Sequence, residues 1–308
     1  MSKKISILVP IYNSAKFMDK LLEAIEIERK AHNWNLELVL VDDGSKDKSF
    51  EKIEELAQIY PYIKGIKLSK NFGHQIAVKT AMHHSTGDYI AVIDDDLQDP
   101  PSQLPGFFKY LDDGYDVAYG IRKNRKESFL KRMAYNGFYK VLKAMSDIHI
   151  PIDSGDFCVM KKQVLDNMLK LQEQNPFLRG IRAWVGFKQI GVEFERHARF
   201  DGKSGYTLKK LLKIAMDGIF SFSTAPIRLI TILGTIGFVF ACVYSLNVIY
   251  HRLNGDIDVK GFATLTIIIS FFSSLILICL GIIGEYIVRI YDEVRSRPYT
   301  VIERTINL

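Results

Sequence analysis

Short apolar runs separated by stretches of helical spacing dominate the first part of the chain. Four of these runs indicate buried strands, at 5–10, 36–41, 64–68 and 89–93. The run at 36–41 is almost continuously apolar, which is typical of a strand covered on both faces of a parallel sheet. Strands that alternate with helices predict βαβ units. We therefore expect an α/β fold with a mostly parallel, doubly wound sheet.

Two much longer apolar stretches follow, at about 229–250 and 262–288. Each exceeds the roughly 20 residues that cross about 30 Å of hydrocarbon, and a short polar join separates them. They predict a hairpin of two transmembrane helices, and a pair of buried core helices is the alternative. From 207 to 222, apolar residues recur at helical spacing against lysines. This pattern predicts an interfacial amphipathic helix ahead of the first span.

These patterns divide the chain into four parts. We expect an α/β domain at 1–206, a juxtamembrane amphipathic helix at 207–226, two transmembrane helices within 227–290 and a tail at 291–308. Lysine and arginine are concentrated before the first span and after the second, and they are sparse in the join. The positive-inside rule therefore predicts that the α/β domain and both termini lie in the cytoplasm.

Composition narrows the class of protein. The 308 residues carry a formal net charge of +6, and the part of it that flanks the spans suits an anionic membrane surface rather than nucleic acid. The cysteines have no paired spacing, so we expect neither a disulfide framework nor a zinc site. The first residues do not resemble a signal peptide. Glycines in both spans permit close helix packing and favour a homo-oligomer, either a dimer or a tetramer.

The strand at 89–93 runs into three consecutive aspartates, Asp94, Asp95 and Asp96. Because unpaired charge is too costly to bury, the strand ends there, and the carboxylates lie at the edge where open α/β sheets bind ligands. Asp94 and Asp96 alternate along an extended backbone and can point the same way. Such a pair suits Mg²⁺ or Mn²⁺, which also bind phosphates. A solvated acidic turn is the alternative.

The first and second strands end at the same edge, the first with Tyr12 and the second with Asp42 and Asp43. No Gly-x-Gly-x-x-Gly follows the first strand, which disfavours a dinucleotide enzyme. Asp42 or Asp43 can accept N–H or O–H bonds from a base or a ribose. A helix cap is the alternative for each of them.

Basic and aromatic residues further along the chain suit anionic ligands. The stretch from Arg122 to Arg132 is either a solvated face or a contact for an anionic headgroup. Arg179 and Trp184 lie close together in a pattern suited to phosphate and sugar, and a core tryptophan is the alternative. Arg199 and Lys203 belong to a basic loop that can close over a diphosphate.

Two further motifs each allow two interpretations. Asp153 and Asp156 flank a glycine in apolar surroundings, which indicates either a functional pair of carboxylates or a structural turn. His74 follows the third strand and is either near the site or an ordinary polar residue at the start of a helix.

Taken together, these motifs resemble the polyprenyl-phosphate glycosyltransferases of glycosyltransferase family 2, which include dolichol-phosphate mannose synthase and bactoprenol-phosphate glucosyltransferases. The resemblance covers the whole chain and implies a GT-A fold, a nucleotide-diphosphate sugar donor, a divalent metal and inversion at the sugar. The matching stretches are Val9-Pro10-Ile11-Tyr12-Asn13, Val41-Asp42-Asp43-Gly44-Ser45, Asn71-Phe72-Gly73-His74, the run from Asp94 to Pro101, Asp153-Ser154-Gly155-Asp156-Phe157, Arg179-Gly180 and Trp184-Val185-Gly186-Phe187.

The resemblance also implies roles by position. The metal ligands would be Asp94, Asp96 and Gln98, and the catalytic carboxylates would be Asp156 and Asp153. The donor site would comprise Pro10, Tyr12, Asn13, Asp42, Asp43, Asp94, Asp95, Arg199 and Lys203, with Asp42 beside the nucleobase. The acceptor phosphate would contact Arg122, Arg132, Arg179 and Trp184. The family pattern often has a small residue where this chain has Asp95, arginine at Cys158, and Ser-Lys-Tyr at Lys203-Ser204-Gly205-Tyr206.

The expected reaction is inverting transfer of a sugar to a membrane polyprenyl phosphate, with UDP-glucose as the favoured donor and undecaprenyl phosphate as the acceptor in a bacterium. The product would serve cell-envelope glycans such as lipopolysaccharide, at the inner membrane. A processive polysaccharide synthase is one alternative, although it would be expected to show Gln-x-x-Arg-Trp and more spans. A non-catalytic membrane adaptor is the other, and the intact Asp94 and Asp96 pair disfavours it.

Overall fold

The computed structural model describes residues 3–122, 154–171, 173–174, 176–194, 225–254 and 261–308. The predictions for Arg132, Asp153, Arg199 and Lys203 lie outside these residues. So does almost all of the amphipathic helix predicted at 207–226.

Strands and helices alternate through the first part of the described chain, as the apolar runs predict. The strands are β1 Lys4–Ile11, β2 Asn35–Asp42, β3 Ile63–Leu68, β4 Tyr89–Val92, β5 Val117–Arg122, β6 Ser154–Lys161, β7 Gln189–Phe194 and β8 Ile302–Ile306. The helices are α1 Met18–Ala31, α2 Ser49–Ile59, α3 His74–His83, α4 Leu104–Asp112, α5 Lys162–Leu169, α6 Leu178–Trp184, α7 Ala225–Leu253 and α8 Phe262–Val294.

All of these strands form one sheet in the order β7-β5-β6-β4-β1-β2-β3-β8. The neighbours β4, β1, β2 and β3 run parallel, whereas β6 is antiparallel to β4 and to β5, and β8 is antiparallel to β3. The predicted α/β fold with a mostly parallel sheet is confirmed. The two antiparallel strands were not predicted from the sequence.

Helices cover both faces of the sheet because side chains of the central strands alternate in direction. In β1, Ile7 and Val9 pack with α1, α2 and α4 on one face, while Leu8 packs with α3, α5 and α6 on the other. Burial on both faces explains why the parallel strands are almost continuously apolar.

The last strand, β8, pairs with the outer edge of β3. Lys67 lies 2.9 Å from Glu303, and Arg304 lies 2.7 Å from Glu54. The segment predicted only as a tail thus returns to the α/β domain and forms the outermost strand of its sheet, next to β3.

One helical segment in the described part of the chain is long and apolar enough to cross a membrane. It is Phe271–Val294 within α8, with a mean hydropathy of 2.2, and none of it is buried. In α7 the apolar segment is the shorter Ile230–Tyr244. The two helices approach each other at Gly237, where an added Cβ would come within 3.1 Å of the Phe272 ring. A two-span hairpin stays a prediction.

A buried carboxylate stabilises the sheet at the edge where β1 begins. Glu37 on β2 accepts hydrogen bonds from the Ser6 hydroxyl and from the backbone and hydroxyl of Thr86, and it lies 2.6 Å from the Lys64 ammonium. Burial alone would raise the pKa of Glu37, but these partners lower it to about 2. The folded state therefore favours the ionised form of Glu37.

We expect Glu37→Gln to destabilise the α/β domain by about 3 kcal/mol at neutral pH, as a pKa depressed by more than two units implies. Since the folded pKa lies below the unfolded one, this contribution is present above the unfolded pKa of 4.5 and is lost as pH falls toward 2. Thermal unfolding in detergent should show that the difference in melting temperature between Glu37→Gln and wild type becomes smaller from pH 7 to pH 2. Glu54→Gln, which removes the charge from an exposed ion pair, is the control. A difference in melting temperature between Glu37→Gln and wild type that does not vary with pH would contradict the lowered pKa of Glu37.

Candidate active site

The carboxyl ends of β4, β1 and β2 lie side by side, because β1 is the strand between the other two. The segments that follow these strands begin with Ile93, Tyr12 and Asp43. The adjacency predicted from the order of the apolar runs is therefore confirmed. A ligand at this edge meets residues from three different loops, as in other open α/β sheets.

Pro10 occupies a position in β1 where a missing N–H has no consequence. Leu8 receives a backbone bond from Ile93 on the β4 side, and Ile11 receives one from Asp43 on the β2 side. Residues alternate in direction along a strand, so Pro10 faces the β4 side beyond the last paired residue of β4. The proline thus fits the end of the strand, and its contact with a donor stays a prediction.

The loop after β1 is bonded to the loop after β2. Asn13, with φ 54°, donates its N–H to the Ser45 hydroxyl at 2.9 Å and accepts the N–H of Lys46 at 2.8 Å. Ser14 donates its N–H to the Ser49 hydroxyl at 2.9 Å. These bonds fix the backbone around Tyr12, whose ring is 45% exposed. An open, well-supported aromatic ring at this edge suits contact with a base or a sugar.

Asp95 connects the loop after β4 to the loop after β1. Its carboxylate accepts the Ser14 hydroxyl at 2.5 Å and the N–H of Tyr12 at 3.3 Å. Burial, with Asp94 and Asp96 nearby, raises the pKa of Asp95 to about 6. Asp95 therefore has partners within the protein, and the direct donor contact implied by the resemblance stays a prediction.

Asp42 and Asp43 are adjacent but have different surroundings. The Asp43 carboxylate accepts the N–H of Phe72 at 2.7 Å and of Gly73 at 3.0 Å, so it holds the loop after β3. The helix-cap alternative is wrong for Asp43, because α2 begins only at Ser49. In Asp42, Oδ1 accepts the N–H of Ser45 at 3.3 Å, whereas the buried Oδ2 has no hydrogen-bond partner among the described residues. Burial raises the pKa of both carboxyls.

The loop after β2 requires glycine at position 44, where it comes close to the loop after β3. Gly44 has a φ of 65°, and a Cβ there would come within 2.4 Å of the Lys70 carbonyl carbon. The close approach of the two loops therefore depends on the missing side chain. It allows the Asn71 side chain to donate to the carbonyl of Asp43 at 3.1 Å.

Asp94 and Asp96 stand at the open end of β4, both partly exposed. Asp96 accepts the N–H of Gln98 at 3.1 Å. Leu97, between Asp96 and Gln98, adopts φ 55°, a conformation uncommon for a branched side chain. In the part of the chain that the structure describes, no group of three or more His, Cys, Asp or Glu side chains could hold a metal ion. Mg²⁺ is usually bound by one or two carboxylates plus substrate phosphates and water. The pair therefore fits a divalent ion, and Gln98 as a third ligand stays a prediction.

Asp156 and Asp94 both lie just beyond the last residue pair of two antiparallel strands. That pair is Val92 on β4 and Cys158 on β6, so Asp94 follows it along the chain and Asp156 precedes it. Arg179 on α6 binds Asp156 through two parallel bonds, Nε to Oδ1 at 2.7 Å and Nη2 to Oδ2 at 2.9 Å. This fork geometry gives directional as well as electrostatic stabilisation.

His74 at the start of α3 lies between the two carboxylates. Its Nε2 is 3.5 Å from Asp156 and 3.8 Å from Asp94. Burial alone would lower the pKa of His74, but Asp156, Asp94 and Asp95 raise it to about 9. Of the two open alternatives for His74, the structure supports the one beside the site.

The pKa of Asp156 bears on its chemistry. Burial alone would raise it, but Arg179 and His74 outweigh that effect and hold it well below the usual range. Asp156 is therefore ionised and strongly bonded at neutral pH, which makes it a poor proton acceptor. Its geometry suits an orienting role better than that of a general base.

The candidates for the acceptor phosphate differ in placement. Arg179 is near the carboxylates but is bonded to Asp156. Trp184 is at the far end of α6 and is 58% exposed, so the core-tryptophan alternative is wrong. Arg122 ends β5 at the same edge of the sheet as the site. The roles of these residues toward a phosphate stay predictions.

The structure adds Gln75 to the site, which the sequence patterns do not single out, and places Arg182, from the stretch of arginines and aromatics around Trp184, below it. Gln75 donates to Asp156 at 3.5 Å and accepts the N–H of Leu178, at the start of α6, at 3.1 Å. Arg182 is buried beneath the site against the Tyr119 ring, where it lines a small cavity with Asp156 and Arg179. A glutamine two residues after a glycine turn carries no signal in one sequence.

The chain was compared with known proteins, and its sequence relatives match nearly its whole length. Residues 6–169 match the family described as glycosyl transferase family 2. The chain is 42% identical over 301 residues to an uncharacterized glycosyltransferase, YkcC, of Bacillus subtilis, covering 97% of this chain and 93% of that protein. It is 33% identical over 302 residues to a prophage bactoprenol glucosyl transferase homolog of Escherichia coli, covering 98% and 99%. Among solved structures, the mannosyltransferase PcManGT of Pyrobaculum calidifontis with GDP-Man and Mn²⁺ has a TM-score of 0.48 at 17% identity, covering 91% and 88%.

Proposed function

The chain belongs to glycosyl transferase family 2, and on that premise we propose that it transfers a sugar from a nucleotide-diphosphate sugar to a membrane polyprenyl phosphate. One observation carries the proposal, namely that Asp94 and the Asp156–Arg179 pair lie on either side of His74 at the carboxyl edge of the sheet. Relatives named for bactoprenol glucosyl transfer support the lipid acceptor. The apolar segment of α8 supports a protein that works at a membrane.

The donor would lie over the ends of β1, β2 and β4. Asp42 would lie beside the nucleobase, as the resemblance implies, and its buried Oδ2, which has no hydrogen-bond partner in the described part of the chain, would accept an N–H there. Tyr12 offers an exposed ring beside it. The diphosphate would then reach Asp94 and Asp96. A UDP-linked glucose is the proposed donor by resemblance.

In the proposed reaction, a phosphate oxygen of the acceptor attacks C1 of the sugar, and the bond from C1 to the diphosphate oxygen breaks, with inversion. A divalent cation bound at Asp94 and Asp96 would supply positive charge against the leaving diphosphate. The acceptor needs little help from a base, because a phosphate monoester has a second pKa of about 6 and is mostly dianionic at pH 7. Asp156 and Arg179 would orient the incoming phosphate and the sugar.

The membrane arrangement is part of the same proposal. Two spans within 227–290 would follow the domain at 1–206 and the juxtamembrane helix at 207–226, and the segment 291–308 would return to the domain through β8. Copies of the chain would associate as a homo-oligomer at the inner membrane. The α/β domain and both termini would be cytoplasmic. Basic residues on either side of the predicted hairpin support this orientation.

The test is release of nucleoside diphosphate by the detergent-purified protein with a panel of nucleotide sugars, with and without polyprenyl phosphate, and with EDTA as a control. We expect release that requires both lipid and metal, and the donor that works identifies the sugar. Lipid-independent release would indicate hydrolysis or a soluble acceptor. A lengthening polymer would indicate a processive synthase. Donor binding without release would support the adaptor alternative.

A further inference from the structure

A buried lysine lies where the membrane helix meets the α/β domain. Lys79, in the middle of α3, is 3% exposed. Its ammonium donates to the carbonyls of Leu171 at 3.3 Å and Glu173 at 2.9 Å, and lies 4.8 Å from the centre of the Tyr299 ring. Lys79 thus bonds the segment between α5 and α6 and contacts the chain that follows α8.

The membrane helix bonds the same segment from the other side. Glu293, in the last turn of α8, accepts the N–H of Gln174 at 2.9 Å. Beyond it, Tyr299 stacks on His83 at the end of α3, with ring centroids 5.7 Å apart. We refer to Lys79, Glu173, Gln174, Glu293 and Tyr299 as the membrane junction.

The segment that begins at the membrane junction ends at the active site. A few residues after Gln174, the N–H of Leu178 bonds to Gln75, and Arg179 binds Asp156. Gln75 and Lys79 lie on the same helix, one turn apart, which is a rise of about 6 Å. Both α3 and the described residues between Leu171 and Arg179 therefore connect the carboxyl end of α8 to the Asp156–Arg179 pair.

Stability alone does not account for a lysine at this position. The neighbouring α3 residues Ala77, Val78, Ala81 and Met82 are all buried and apolar. Burial lowers the pKa of Lys79, while Glu173 and Glu293 act in the opposite direction. An apolar side chain would avoid the desolvation cost of a buried ammonium, but it would not bond the carbonyls of a loop. The lysine thus holds Leu171 and Glu173 in a defined position at the cost of some stability.

We propose that Lys79 is a positioning residue, which with Glu293 sets the distance and orientation of the Asp156–Arg179 pair relative to the membrane, so that a lipid-borne phosphate reaches it. The proposal rests on the proposed function. A lipid acceptor has a headgroup at a fixed depth, so only a site held at a matching height can use it. A water-soluble acceptor diffuses to the site at any height.

The test compares two acceptors in the full-length protein reconstituted in vesicles. One is a long-chain polyprenyl phosphate in the bilayer, and the other is a short-chain, water-soluble prenyl phosphate. We expect Lys79→Met to lower kcat with the bilayer acceptor by about 10-fold or more, since small misplacements have effects of this size. With the soluble acceptor the loss should stay below about 2-fold, because that acceptor reaches the site at any height.

Matched variants separate positioning from stability. Lys79→Arg should restore activity, because a guanidinium can donate to both carbonyls. Glu293→Ala should reproduce the Lys79→Met pattern, and Glu293→Gln should not, since its amide oxygen still accepts the N–H of Gln174. Lys64→Met removes the partner of Glu37 at the opposite edge of the sheet. It should lower stability without changing the ratio of the two activities.

Three outcomes would overturn the proposal. In the first, Lys79→Met lowers both activities equally, as a purely structural lysine would. In the second, Lys79→Met fails to fold, and Glu293→Ala, which tests the same contact, leaves the ratio of the activities with the bilayer and soluble acceptors unchanged. In the third, the wild-type protein transfers sugar to neither acceptor, which would overturn the proposed function itself and is distinguishable from the other two.

Discussion

Asp94→Asn should lower transfer by about 10²- to 10³-fold, which is the size of effect seen when one group that stabilises developing charge is removed. Asp94 stands at the open end of β4, and His74 lies between it and the Asp156–Arg179 pair. An amide is a weaker ligand than a carboxylate for Mg²⁺ or Mn²⁺, so the cation is held less tightly beside the leaving diphosphate. The measurement is the rate as a function of Mn²⁺ concentration. Half-saturation should move to a higher concentration.

The same strand offers the matched control for this variant. Asp88 precedes β4 at the opposite edge of the sheet and accepts the N–H of Lys4 at 2.9 Å. Asp88→Asn retains an acceptor oxygen there and should leave both the rate and the Mn²⁺ dependence unchanged. If Asp94→Asn behaved like Asp88→Asn, the carboxylates after β4 would be no more than a solvated acidic turn.

The strands, their order and the acidic edge could be predicted because each rests on local patterns. The central strands are buried on both faces, so their apolar runs are almost continuous. An acidic triplet directly after such a run marks the carboxyl edge. These patterns predict Tyr12, Asp42 and Asp94 along one edge, and the strand order confirms that placement. Family membership accords with the predicted GT-A-like α/β domain.

Partners distant in sequence could not be predicted. Asp156 reaches the site because β6 runs antiparallel to β4, and one sequence gives no register for that pair. Asp43 and Asp95 look like ligand carboxylates in the sequence, but the structure bonds them to backbone groups of distant loops. Arg179 and Arg182 lie in one short helix, and only packing decides which of them binds Asp156.

The second large effect should come from Asp156. We expect Asp156→Asn to lower kcat by about 10²-fold, because an amide cannot form the two charge-assisted bonds that hold the Arg179 guanidinium. Arg179→Lys, which keeps the charge but loses the fork, should have an effect of similar size. Because the two residues act as one unit, the double variant should lose little more than either single variant. Losses that multiply would show that they act independently.

The pH dependence distinguishes orientation from proton transfer. The pKa of Asp156 lies well below its usual range, so this carboxyl stays ionised throughout the neutral region and contributes no step to the rate. The acceptor phosphate, with a second pKa of about 6, becomes the better nucleophile as pH rises through that value. We therefore expect kcat/KM for the acceptor to rise through about pH 6 in wild type and, at a lower level, with the same profile in Asp156→Asn. An acidic limb that disappears in Asp156→Asn would instead identify Asp156 as the base, and the orienting role would be wrong.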